Sequence, residues 1–142
     1  MPVVSAVTPS QGVTLKKAAG AAIAFLTSID GLSLKAGTID TTGLDTAGGY
    51  KTFIQGFREV DDLSISGSYS SFDHDIFITD FNSGTSAQYT VQFPAAGGAA
   101  TGSKWVFTGI VTSFKHKAAV DNVVSFDVSI KVVGAPTFTA AV

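Results

Sequence analysis

Along Val123–Gly134 the apolar residues Val124, Phe126, Val128, Ile130 and Val132 alternate with Ser125, Asp127, Ser129 and Lys131. Period-two alternation predicts a β-strand with one face in a core and the other on something polar. The pattern recurs where Leu63, Ile65, Gly67 and Tyr69 alternate with Ser64, Ser66 and Ser68. It recurs again where Tyr89, Val91 and Phe93 alternate with Gln88, Thr90 and Gln92. The second face of these runs is polar but small, almost uncharged and free of arginine, which is unusual for an ordinary wetted surface.

The rest of the chain falls around these runs. Met1–Gly12, with Pro2, Pro9 and Gly12, reads as an irregular N-terminal arm. Val13–Lys17 and Ala22–Ile29 are candidate strands, Asp30-Gly31 a turn, and Leu34–Thr41 a further strand. Gly43–Asp62 shows little regular pattern but carries Tyr50, Phe53, Ile54 and Phe57. Loops longer than about 12–15 residues are uncommon in compact domains and are usually functional or disordered. So many large apolar residues argue against disorder. The segment either docks on a partner or folds back as a lid. Ser70–Phe81 predicts one short helix, with Ser71 as N-cap and Phe72, Ile76, Phe77 and Phe81 as its apolar stripe. Ala87–Phe93, Lys104–Lys115 and Val123–Gly134 are strands, 95–103 is a small-residue loop, and Ala135–Val142 is a tail broken by Pro136. About seven strands and one helix predict a mainly β single domain over 1–142. The architecture expected is a two-sheet β-sandwich or barrel with one flanking short α-helix.

Composition sharpens the picture. The chain has 142 residues, one domain by length. At 14.6 kDa a compact monomer would expose roughly 7,000 Å². Charged residues are 14% and hydrophobic residues 45%, with mean hydropathy +0.35; about 25% charged is usual. No run reaches the roughly 20 apolar residues that span a bilayer, so no membrane insertion is expected. A chain this apolar hides surface against partners, because large exposed apolar patches mark interaction sites. Net charge is −2, with Arg58 the only arginine, which argues against a tight grip on nucleic-acid phosphates. There is no cysteine, hence no disulfide and no thiolate metal site. Lys16-Lys17 followed by Ala18–Leu26 resembles the start of a secretory signal. It lies inside the chain, lacks a small-x-small cleavage site, and reads better as a strand.

Candidate chemistry is sparse. Asp73-His74-Asp75 is the one tight group of metal-capable side chains, but on a helix these positions do not share a face. Helix-start acids beside a solvated imidazole are the expectation. His116 lies between Lys115 and Lys117, which disfavours its charged form; this reads as a basic strand end at a rim. Asp61-Asp62 at a strand start point opposite ways. No G-x-S-x-G elbow or phosphate loop is present, and Gly97-Gly98 and Gly102 read as a flexible hairpin. Trp105, the single tryptophan, reads as a core or interface anchor. No catalytic set, metal or cofactor is expected.

Three segments come in a recognisable order: Thr38-Ile39-Asp40-Thr41-Thr42, Tyr50-Lys51-Thr52-Phe53-Ile54-Gln55-Gly56-Phe57, and Asp61-Asp62-Leu63-Ser64-Ile65-Ser66-Gly67. Trp105–Phe114 and Val123–Gly134 with Pro136-Thr137-Phe138 follow. Together, over roughly Thr38–Phe138, this order and spacing resembles the tail tube (major tail) proteins of long-tailed, non-contractile bacteriophages. The resemblance implies a structural virion protein of the phage tail, made in the host cytoplasm. Six copies would form a ring, and rings would stack into a hollow tube through which DNA is ejected. It implies partners in further copies of itself and in tape-measure, tail terminator and tail-tip proteins. DNA would pass without specific binding. The 43–62 loop, with Tyr50, Phe53, Ile54, Phe57 and Arg58, would reach a neighbouring subunit. Ser64, Ser66, Ser68, Ser125, Asp127, Ser129 and Lys131 are the candidate lumen face.

Two other readings compete. One is a monomeric β-sandwich binding module of carbohydrate or adhesin type, with Tyr50, Phe53 and Phe57 as exposed aromatics. The other is the inner tube protein of a contractile or type VI-like machine, which shares the fold.

Overall fold

A computed structural model describes residues 7–17, 20 and 22–142. The expected arm therefore lies partly outside the described residues; its described part, 7–12, forms no strand. In chain order the elements are β1 (Thr14–Lys17), β2 (Leu26–Asp30), β3 (Leu34–Asp40), a 3-10 turn (Ala47–Gly49), β4 (Phe53–Val60), β5 (Leu63–Ser68), α1 (Ser71–Ser83), β6 (Ala87–Gln92), β7 (Lys104–Lys117) and β8 (Ser125–Thr139).

Six strands form one antiparallel sheet in the order β1-β6-β7-β8-β5-β2. Val13, Val91 and Phe93, near one edge, line the same cavity as Leu26, Ile29, Leu32 and Leu63 near the other. The sheet therefore curls until its edges face each other, and the core fills the inside. Leu15, Leu63, Ile65, Phe77, Tyr89, Val91, Phe107, Phe126, Val128 and Ile130 are buried there. The alternating runs supply seven of these ten side chains, as the period-two pattern predicts, and β1, α1 and β7 supply Leu15, Phe77 and Phe107. The β3–β4 hairpin is a separate two-stranded sheet.

α1 packs over β7. Phe77 sits 6.3 Å from Phe126 and 6.5 Å from Phe114, ring to ring. The N-cap is Ser70, one residue before the expected Ser71, and Gly84 closes the helix in the left-handed conformation. The expected apolar stripe splits. Phe77 is buried while Phe72 is 93% exposed, because positions 72 and 77 fall on different sides of a 3.6-residue turn.

Three further expectations change. The irregular stretch at 43–62 is shorter than expected, because Phe53–Val60 is a strand. Both of its faces are largely exposed, so no alternation marks it. Ala22–Ile29 yields a strand only from Leu26, with Ala22 making an isolated bridge to Lys16. The tail is not broken at Pro136, since β8 runs on to Thr139. Between Val106 and Thr108 the register jumps from Thr137 to Val133. Gly134, Ala135 and Pro136 bulge out there, where proline costs no ladder bond. Val142 then exchanges hydrogen bonds with Thr101 at 3.1 Å each way.

Candidate functional site

Two features stand apart from the core: a serine-rich sheet face and the projecting hairpin. Directly opposed residues of antiparallel strands share a face. The pairings Asp30–Ser64–Ser129–Ser113 and Ser28–Ser66–Asp127–Lys115 therefore form rows across β2, β5, β8 and β7, and Ser68–Ser125–Lys117 continues them. All seven residues of the candidate lumen face come together on this surface, and none is buried. Ser66 donates to the Asp127 carboxylate at 2.6 Å. Lys131 pairs with Asp62 at 3.4 Å. Ser28, Asp30, Ser113, Lys115 and Lys117 join the face through strand register alone, which no single-strand pattern reveals. Lys115 and Lys117 stand at the end of β7 as a basic rim. With them the face carries both signs of charge rather than almost none, and it still has no arginine.

The hairpin leaves the sheet between β2 and β5. Gly31, at φ +127°, sits where a side chain would meet the Asp62 carbonyl oxygen at 2.4 Å, and Leu32 follows in the left-handed region. Asp61 N–H donates to Ser33 O at 3.0 Å. Lys35 pairs with Asp61 at 3.0 Å, and that carboxylate raises the Lys35 pKa by hydrogen bond and charge. The two adjacent acids thus serve two different lysines, one on the hairpin and one on β8.

Register places Ala36 opposite Arg58 and Thr38 opposite Gln55. One extra residue of β4 is therefore a bulge, and Phe57 beside it is 97% exposed. Phe53, Ile54 and Tyr50 are also exposed, Tyr50 to 78%. Ile54 faces Ile39 across the ladder while Phe53 faces Asp40, so the two point to opposite sides. At the tip Thr41 and Thr52 share a hydroxyl hydrogen bond at 3.0 Å. Thr52 N–H donates to the Thr42 hydroxyl at 2.8 Å. Thr42 donates to Asp40, and its hydrogen bonds hold that carboxyl below the ordinary range. Hydrogen bonds thus join the two arms of the tip, which displays Leu44 and Tyr50 to solvent.

The catalytic candidates resolve into structure. His74 is fully buried rather than solvated. Its Nδ1 accepts from Ser70 N–H at 2.9 Å, so Nε2–H donates to Ala24 O at 2.8 Å. The hydrophobic environment supplied by Phe126, 4.1 Å away ring to ring, could not be read from the Asp-His-Asp pattern. Asp80, which drew no attention in the sequence, is buried between Lys17 Nζ at 2.6 Å and Tyr89 OH at 2.8 Å. His116 packs edge-on against Tyr69 at 4.5 Å. Trp105 is half-buried, 4.8 Å from Phe138. Among the described residues no group of three or more His, Asp and Glu could hold a metal ion. No described helix is long and apolar enough to cross a membrane.

No family model matches the sequence, and no curated protein does. Solved structures do. A chain from the tail of an empty gene transfer agent particle, resolved with C6 symmetry, is 22% identical at TM-score 0.72, covering 94% of this chain and 100% of that one. The tail tube of SPP1 is 12% identical at TM-score 0.67, covering 94% and 80%. A chain of the sheath-tube complex of an extracellular contractile injection system, PVC, is 14% identical at TM-score 0.72, covering 96% and 94%. These likenesses extend over nearly the whole chain, and this chain has the tail tube fold.

Proposed function

We propose that the chain is a structural tail tube subunit that polymerises with copies of itself into a hollow tube for DNA passage. The observation that carries this is the β3–β4 hairpin. A two-stranded hairpin is marginal by itself in water, yet this one stands clear of the core with Ile39, Leu44, Phe53, Ile54 and Phe57 exposed. Burying each such side chain contributes about 1.5–3 kcal/mol. Lost translational and rotational freedom costs about 4–15 kcal/mol per association. One hairpin contact is close to break-even, and closed rings with repeated contacts tip the balance. The likeness to a tail with C6 symmetry supports six subunits per ring.

The serine face suits a lumen, because small hydroxyls and the mixed charges of Asp127 and Lys131 offer phosphates no continuous grip. Tape-measure, terminator and tail-tip proteins are the further partners in this reading, and the virion tail is its location. The likeness to a contractile sheath-tube complex keeps the inner tube of such a machine as a second setting for the same part.

Light scattering and negative-stain microscopy of the purified protein test the proposal. Rings or hollow tubes are expected. The Phe53→Ser, Phe57→Ser double variant is expected to stay a folded monomer, since neither side chain contributes to the core. A wild-type protein monomeric at every concentration overturns the proposal and returns the binding-module reading.

A further inference from the structure

The aromatic residues at the end of β7 fix which way its charges point. Phe114 stacks on Phe126 at 5.9 Å, and His116 packs edge-on to Phe114 at 4.7 Å and to Tyr69 at 4.5 Å, ring to ring. With positions 114 and 116 turned inward, Lys115 and Lys117 point to the serine face, and both are exposed. Their row partners on β8 are Asp127 and Ser125. Among the described residues neither lysine has a carboxylate within 4.0 Å. One oxygen of the Asp127 carboxylate already accepts from Ser66. Asp75 accepts from Tyr69 on the inward side of the same strand end, and Asp121 lies in the β7–β8 connection. Four residues farther along the strands, roughly 14 Å at about 3.4 Å per residue, the row Asp30–Ser64–Ser129–Ser113 carries the opposite sign. Lys131, beyond it, is paired with Asp62.

We infer that Lys115 and Lys117 form a phosphate-contacting band at one end of the serine face, which touches a passing DNA duplex at each ring and releases it between rings. The inference rests on the reading of this face as the lumen of a self-assembled tube, and adds to it the place where the polyanion is touched.

The chemistry of the two lysine rows selects a phosphodiester backbone over an acidic protein segment. Beside the lysines stand Ser28, Ser66, Ser68 and Ser125, small hydroxyls able to donate to phosphate oxygens. These rows hold no apolar or aromatic side chain of the kind that anchors a protein partner. An ammonium is a hydrated point charge on a flexible stem, without the planar fork that clamps a phosphate at two points, so its contacts exchange as the duplex moves. Asp127 within the band, and Asp30 beyond it, repel phosphates and keep the attraction from becoming continuous. The aromatic packing beneath β7 holds the lysines on a fixed strand rather than on a loose loop.

Tubes assembled from the purified protein test this by co-sedimentation with short linear duplex DNA and with closed circular duplex, which cannot be threaded into a tube. Retention of the linear form alone is expected at about 50 mM salt, and its loss by about 200 mM. Lys115→Ser with Lys117→Ser is expected to weaken retention about ten-fold and to flatten its salt dependence. Lys104→Ser, at the opposite end of β7, is expected to leave both unchanged. Wild-type tubes that retain no DNA at low salt, or a double variant that retains it as well as the wild type, overturn the inference while leaving self-assembly standing. Equal retention of linear and circular DNA does the same, by putting the band outside the lumen. A double variant with wild-type circular dichroism that no longer forms tubes also overturns it, because the lysines would then be a subunit contact. A wild-type protein with no particles at any concentration overturns both.

Discussion

Tyr89, Asp80 and Lys17 form a polar chain that runs from the core outward, from β6 through α1 to β1. Burial pushes the Tyr89 hydroxyl up first, and its hydrogen bond to Asp80 adds to the effect. An unfolded tyrosine loses its proton near pH 10, whereas the folded one holds it to higher pH. Its contribution to stability is therefore complete below about pH 10 and is lost as pH rises above that, because the unfolded chain releases its proton first. The urea midpoint of the wild type should fall more steeply above pH 10 than that of Tyr89→Phe. At neutral pH the variant should lose about 1.5–3 kcal/mol, the hydrogen bond to a charged partner. Parallel slopes in the two proteins would place the alkaline transition elsewhere. Neither Asp80 nor the buried His74 was legible in sequence. A polar side chain on a helix looks solvated until the element beneath it is known, and Lys17 and Ala24 lie 63 and 50 residues away from their partners.

The same limit operates on elements. Strands with one face in the core, such as β5, β6 and β8, announce themselves by alternation, and the serine face came with them. β4 did not, because nothing buries either of its sides and a bulge breaks its register. The β7–β8 bulge likewise hid the end of β8, which runs past Pro136 to Thr139. What holds the hairpin in place can be tested at its hinge. Gly31→Ala meets both a positive φ and a backbone oxygen at 2.4 Å, whereas Gly134→Ala meets a positive φ of +76° with open space. Gly31→Ala should cost about 2–3 kcal/mol and Gly134→Ala about 1 kcal/mol, both read from urea melts. Equal losses would mean that backbone conformation alone, and not the close approach of β5 to the hinge, sets the cost.

On the scale of the whole molecule, the chain exposes 9351 Å², against the roughly 7,000 Å² of a compact monomer of its mass. The excess is about what one subunit buries in an obligate assembly, roughly 1,000–2,500 Å² per partner. Low charge content anticipated exposed apolar surface, but composition could not place it; Leu34, Ile39, Leu44, Tyr50, Phe53, Ile54 and Phe57 expose theirs on the hairpin and its tip. The serine face is different, being exposed yet poor in apolar side chains, as a surface that stays wet after assembly should be. That contrast separates two kinds of variant. Asp127→Arg with Ser129→Arg changes the wet face and touches neither the core nor the hairpin, so tubes of normal diameter and length should form. If this face lines the channel, each ring would then carry a band of new guanidinium groups, able to pair bidentately with phosphates as the native lysines cannot. DNA ejection from such particles should slow or stall, and the delay should shrink as salt is raised, because phosphate contacts weaken with ionic strength. Normal ejection kinetics at low salt would remove this face from the lumen and leave it on the outside of the tube.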